Sequence, residues 1–143
     1  MSRIISFRGQ VADSSEETIP LHTIDGSIGY RLIKFEVMTE TFVNAELLMR
    51  IWKTPGNVGA GNIDFSDNRM LAAAQFSQSS ASESNPDDVM VIFDSEIFNQ
   101  DIYITNNGVS NSRTMNYYIE LEQMKLDLNE NTVATLKDIR NVA

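Results

Sequence analysis

Apolar and polar residues alternate with period two along much of the chain, the pattern of strands that bury one face. In "RIISFRGQV" (Arg3–Val11) the odd positions Ile5, Phe7 and Val11 oppose Ser6, Arg8 and Gln10. In "IKFEV", Ile33, Phe35 and Val37 oppose Lys34 and Glu36. Val43, Ala45, Leu47, Met49 and Ile51 form an unbroken odd face in "VNAELLMRIW". Ala45, Leu48, Met49 and Trp52 also fit a helical stripe, and "AELLMR" has high helix propensity. The complete alternation and the closing Ile51-Trp52 favour strand. "VMVIF" (Val89–Phe93) is apolar on both faces, as expected of a central strand. "DIYIT" (Asp101–Thr105) is a further short candidate, and Thr18–Thr23 and Met70–Gln78 are weaker ones. Phe35, Leu47, Met49, Val91 and Phe93 form the expected core.

Two segments change parity. Tyr30 and Leu32 are even, whereas Ile33, Phe35 and Val37 are odd. Tyr117, Ile119 and Leu121 are odd, whereas Met124, Leu126 and Leu128 are even. A β-bulge has this effect, because one extra residue re-aims every later side chain. Glu122-Gln123 is the expected place in the second segment. Partial burial of both faces without a bulge gives the same pattern. In either case apolar residues lie on both sides of the strand, and a partner surface is one way to cover them.

The connections carry turn chemistry. "TPGNVGAGN" (Thr54–Asn62) holds Pro and three glycines, "SQSSASESNPDD" (Ser77–Asp88) is serine-rich and acidic, and Asn107-Gly108 signals a type I′ hairpin. Both long loops are expected at the surface. In "NENTVATLKDIRNVA", Thr132 caps an expected helix over 131–142 that docks through Leu136 and Ile139. Seven to eight strands without helical crossovers predict an all-β fold: one domain over 1–143, a jelly-roll-like antiparallel β-sandwich with a short C-terminal α-helix.

Composition narrows the function classes. The chain has 143 residues, 42% of them apolar, which suffices for a core without staples. It has no cysteine, so thiolate metal sites and cysteine nucleophiles are excluded. "MSRIISFRGQV" does not read as a signal peptide, and no apolar run reaches the length of a membrane span. The net charge is −9, and residues 54–101 hold one base, Arg69, against eight acids. An acidic middle repels phosphate backbones, so no nucleic-acid partner is expected.

The candidate sites are sparse. His22, the only histidine, lies near Asp25, but no G-x-S-x-G elbow supplies a nucleophile. "GNVGAGN" lacks the lysine of a phosphate loop, and Asp64 and Asp67 follow it with the wrong charge. Asp64, Asp67 and Asn68 could hold calcium loosely, as could Asp87 with Asp88 or Asp94 with Glu96, but no EF-hand pattern is present. Glu120 and Glu122 share one strand face and read as its solvent side. Trp52, Tyr103, Tyr117 and Tyr118 could form a sugar platform, with Trp52 and Tyr118 on exposed parity and Tyr117 in the core. No catalytic, cofactor-binding or metal-binding residue is therefore assigned, and neither a cofactor nor a small-molecule substrate is expected.

The segments "GYRLIKFEVMTETFVNAELLMRIWKT", "VMVIFDSEIFNQDIYIT" and "MNYYIELEQMKLDLNENTVATLKDIRN" resemble small virion structural proteins of bacteriophages over residues 28–143. That resemblance implies a non-enzymatic β-sandwich building block of a capsid, collar or tail. It implies location in the virion, with copies of itself and other virion proteins as partners. The alternative is a soluble β-sandwich recognition module for a glycan or another cell-surface ligand.

Overall fold

The alternating segments form eight strands: β1 (Arg3–Val11), β2 (Ser15–Ile19), β3 (Ile28–Thr39), β4 (Ala45–Trp52), β5 (Met70–Gln78), β6 (Asp88–Phe93), β7 (Ile102–Gly108) and β8 (Met115–Lys125). The structure, a computed structural model, describes residues 3–24, 26–41, 44–59, 62–78, 88–108 and 113–127. No helix occurs among the described residues. The helix expected over 131–142 lies outside them.

One sheet has the order β1-β8-β3 and the other β2-β7-β4-β5-β6. Every pairing is antiparallel. The sheets share one core. Leu47, Met49 and Ile51 of β4, Ala72, Ala74 and Phe76 of β5, and Ile102 and Ile104 of β7 belong to it. Leu32, Phe35 and Val37 of β3 and Ile119 and Leu121 of β8 supply the other sheet's share. β1 touches β2 and β7, whereas β3 touches β5 and β6. β1 and β6 therefore stand at opposite sides of the sandwich.

The parity change in β3 is a bulge. Leu32 pairs with Leu121 and Lys34 with Glu120, so Ile33 is the extra residue. It lets Tyr30 and Leu32 share the buried face with Phe35 and Val37. β8 has no such bulge: Leu121 to Lys125 pair one for one with Leu32 to Ile28, so the expectation at Glu122-Gln123 is corrected. β8 instead runs out past the core. Leu126 there lies over Gly29, where an added Cβ would come within 2.7 Å of a leucine methyl. Both alternatives in the sequence are thus realised, one in each strand.

Three further expectations are corrected. "VMVIF" is not a central strand but β6, one of the two outer strands of the larger sheet among the described residues. Phe93 faces inward but is 39% exposed, and Val91 is only partly buried against the core, whereas Phe35, Leu47 and Met49 are buried. The smaller sheet is too narrow to cover β6. Asn107-Gly108 is not a hairpin turn, since both residues lie within β7 and the next strand, β8, belongs to the other sheet. The neighbouring Asn106 uses its side-chain amide to join the sheets, donating to Val11 O at 2.9 Å and Arg113 O at 2.8 Å.

Candidate assembly surface

The largest departure from a well-covered sandwich is the outer edge of β6. Its inner side pairs with β5 from Asp88 to Phe93. No strand pairs with its outer side among the described residues. Val89 and Phe93 protrude from one face and Met90 and Ile92 from the other, and all four are 39–52% exposed. Phe65, 67% exposed, extends this surface from the neighbouring loop. A groove of about 390 Å³ runs between them, lined by Phe65, Met70, Ile92 and Phe93. Such an edge offers unpaired backbone groups flanked by apolar side chains, which soluble proteins ordinarily blunt or cover. The sequence signal was there, since a run apolar on both faces needs cover on both. It does not say whether that cover comes from within the chain.

The outer face of β4 is treated differently. Arg50 is buried there and stacks over Trp52, with 5.1 Å from guanidinium to ring. It donates to Asn62 O at 2.9 Å and to Asn107 Oδ1 at 2.5 Å. Burial pushes its guanidinium below the usual value. Arg69 approaches the same ring at 5.9 Å, and Trp52 Nε1 donates to Thr105 Oγ1 at 2.9 Å. The described parts of the 54–69 loop, 54–59 and 62–69, are thus surface segments pinned from below. Trp52, expected on an exposed face, is buried, so it takes no part in a sugar platform.

The other candidates have structural partners. His22 Nδ1 stands 2.7 Å from Asp101 Oδ1, and that oxygen also accepts from the amides of Leu21 at 2.8 Å and His22 at 3.0 Å. Burial alone would raise the Asp101 carboxyl, but these hydrogen bonds outweigh it and hold it below the usual carboxylate range. Among the described residues no hydroxyl is hydrogen-bonded to the other ring nitrogen. Asp25 lies outside the described residues. Asp64 accepts from the Ser66 amide and hydroxyl, and Asp67 pairs with Arg69 at 2.7 Å. No three metal-ligating side chains converge among the described residues. The glycine loop gives its Gly56 amide to the Glu16 carboxylate at 3.0 Å, an acid where a phosphate site would put the ligand.

Glu120 accepts from the Tyr118 hydroxyl at 2.7 Å, and Glu122 pairs with Arg31. Tyr117 is core, as expected, and its hydroxyl reaches across the sandwich to Glu17 of β2 at 2.8 Å. Burial, reinforced by that carboxylate, pushes this phenol well above its usual value. A second groove, of about 450 Å³, includes Arg8, Gln10, Glu36, Met38, Asn116 and Tyr118 in its lining.

No family model matches the chain, and no curated protein matches its sequence. Two solved structures are similar in outline. One, from Bacillus, is described as "Bacillus endospore appendages form a novel family of disulfide-linked pili". It is 9% identical, covers 89% of this chain and 88% of its own, and has a TM-score of 0.36. The other is the Yersinia pseudotuberculosis-derived mitogen, 15% identical over 89% of each chain with a TM-score of 0.32. Neither is a bacteriophage virion protein, and at these scores neither likeness assigns a fold family or a function.

Proposed function

We propose that this protein is a non-enzymatic structural subunit of a bacteriophage particle, capsid or capsid-associated, acting through contacts with copies of itself and other virion proteins. The observation that carries the assembly reading is the edge of β6, with apolar side chains exposed on both faces and no strand beside it among the described residues. An edge of this kind is stable in solution when another chain covers it. The virion itself comes from the sequence resemblance alone.

The strand orders support a jelly roll as the finer description. In that arrangement the sixth strand lies beside the third, giving 1-8-3-6 facing 2-7-4-5. Here Phe98 alone takes the place beside β3, bonded to Tyr30 by N–H···O contacts of 2.7 and 2.9 Å, while β6 joins β5. Capsid and lectin domains share the jelly roll, so the fold is compatible with both assembly and glycan recognition.

The test is the mass of the full chain by light scattering across concentration. A mass above the monomer that persists on dilution to micromolar concentration supports the structural subunit. A monomer at every concentration overturns it. The groove beside Tyr118, with guanidinium, amide and carboxylate groups around an aromatic ring, favours a glycan module as the second reading. A monomer whose binding to oligosaccharides is lost in Tyr118→Ala would establish that reading instead.

A further inference from the structure

We infer that the occupant of the β6 edge is the β1 edge of a second copy, so that subunits join head to tail. This rests on the assembly reading and adds the identity of the contact. Among the described residues the sandwich has four outer strands, β1 and β3 in one sheet and β2 and β6 in the other. Charge separates them. β6 has Asp88 at its start and Asp94 just after its end, and residues 70–112 contain no Lys or Arg. Asp94 has no cation partner among the described residues. Pairing β6 with another β6 sets acid beside acid: an antiparallel pair centred on Val91 puts Asp88 opposite Asp94 at both ends. Like charges directly opposite destabilise a strand pair. β2 carries Glu16 and Glu17 and has the same sign. β3 carries Arg31 and Lys34, but Arg31 is paired with Glu122, and Lys34 stands 4.0 Å from Glu36.

β1 is different. Its segment Arg3–Val11 contains two arginines and no acid. Arg3 and Arg8 are exposed and form no ion pair among the described residues. Between them lie Ile4, 63% exposed, and the partly buried Ile5 and Phe7. The Arg3–Arg8 part of β1, with apolar residues between two cations, thus matches the apolar β6 segment between two acids. Because β1 and β6 occupy opposite sides of the sandwich, the contact is heterologous. It leaves one free β1 and one free β6 at the ends of every oligomer, which close into a ring or continue as a filament.

The chain has no cysteine, so single thiols can report the contact. Ile4→Cys and Met90→Cys alter half-exposed or exposed side chains and spare the core. Paired strands lie about 4.8 Å apart, within reach of a short bis-maleimide. Each full-length variant alone and an equimolar mixture of the two are treated with that reagent. A covalent dimer in the mixture, with only background in each alone, is the expected result. Adding Arg3→Glu and Arg8→Glu to the Ile4→Cys chain should abolish that dimer. Efficient cross-linking of Met90→Cys to itself would overturn the inference in favour of a two-fold contact. An assembled wild type whose mixture gives no dimer would also overturn it, leaving the assembly reading in place with another occupant, such as residues 128–143 or a different virion protein. A monomeric wild type overturns both.

Discussion

Phe35 and Phe93 both face inward from a strand, yet one is 3% and the other 39% exposed. Their substitutions should separate accordingly. Phe35→Ala is expected to cost ~3–5 kcal/mol in denaturant unfolding, the range for a buried aromatic. Phe93→Ala should cost the monomer about 1 kcal/mol, as partly exposed sites do. Equal losses would mean that β6 is covered from within the chain. Asp101 provides a pH test at the same scale. Its folded carboxyl lies below its ordinary value near 4, so its contribution is present above that value. The contribution is lost as pH falls through the folded value. Asp101→Asn should therefore lower stability at pH 7 and flatten the loss on acidification, measured as thermal midpoints from pH 7 to 3. An unchanged acid slope would show that the hydrogen bonds to Leu21 and His22 do not favour the charged form.

In β3 the bulge makes an unusual deletion tolerable. Without Ile33, Leu32 still pairs with Leu121, and Lys34 and Phe35 keep Glu120 and Ile119 with normal alternation. Deleting Ile33 should leave a cooperative thermal transition. Deleting Glu120 from the regular part of β8 should abolish it, because every side chain on one side of the deletion changes face. Loss of folding in the first deletion would show that the bulge itself is required. The reason to expect a bulge was legible in the sequence, since Tyr30 and Leu32 cannot share a face with Phe35 on a regular strand. Most strands were legible too, including β4, where complete odd alternation outweighed helix propensity, but β2 runs over Ser15–Ile19 and not over the expected Thr18–Thr23. The place of β6 was not. A run apolar on both faces looks the same in the centre of a sheet and at an edge that a partner covers, because local pattern records burial and not its source. Trp52 was missed for a related reason: the loop that follows β4 folds back through Asn62 and Arg69 over the face that alternation assigns to solvent.

At the scale of the molecule, the two sheets differ in width, and β6 is where that difference leaves apolar surface uncovered. Charge is distributed to match, with acids flanking β6 and, on the opposite side, β1 arginines that form no ion pair among the described residues. In the proposed assembly the β6 edge holds subunits together. The most direct test compares the mass of the wild type by light scattering with that of Met90→Lys/Ile92→Lys, and with Ile24→Lys as control. Ile24 is a fully exposed apolar residue outside the strands, so its replacement removes exposed apolar surface without touching the edge. The wild type and Ile24→Lys should be oligomeric, and Met90→Lys/Ile92→Lys a folded monomer. An oligomer that survives both lysines in β6 would contradict this arrangement.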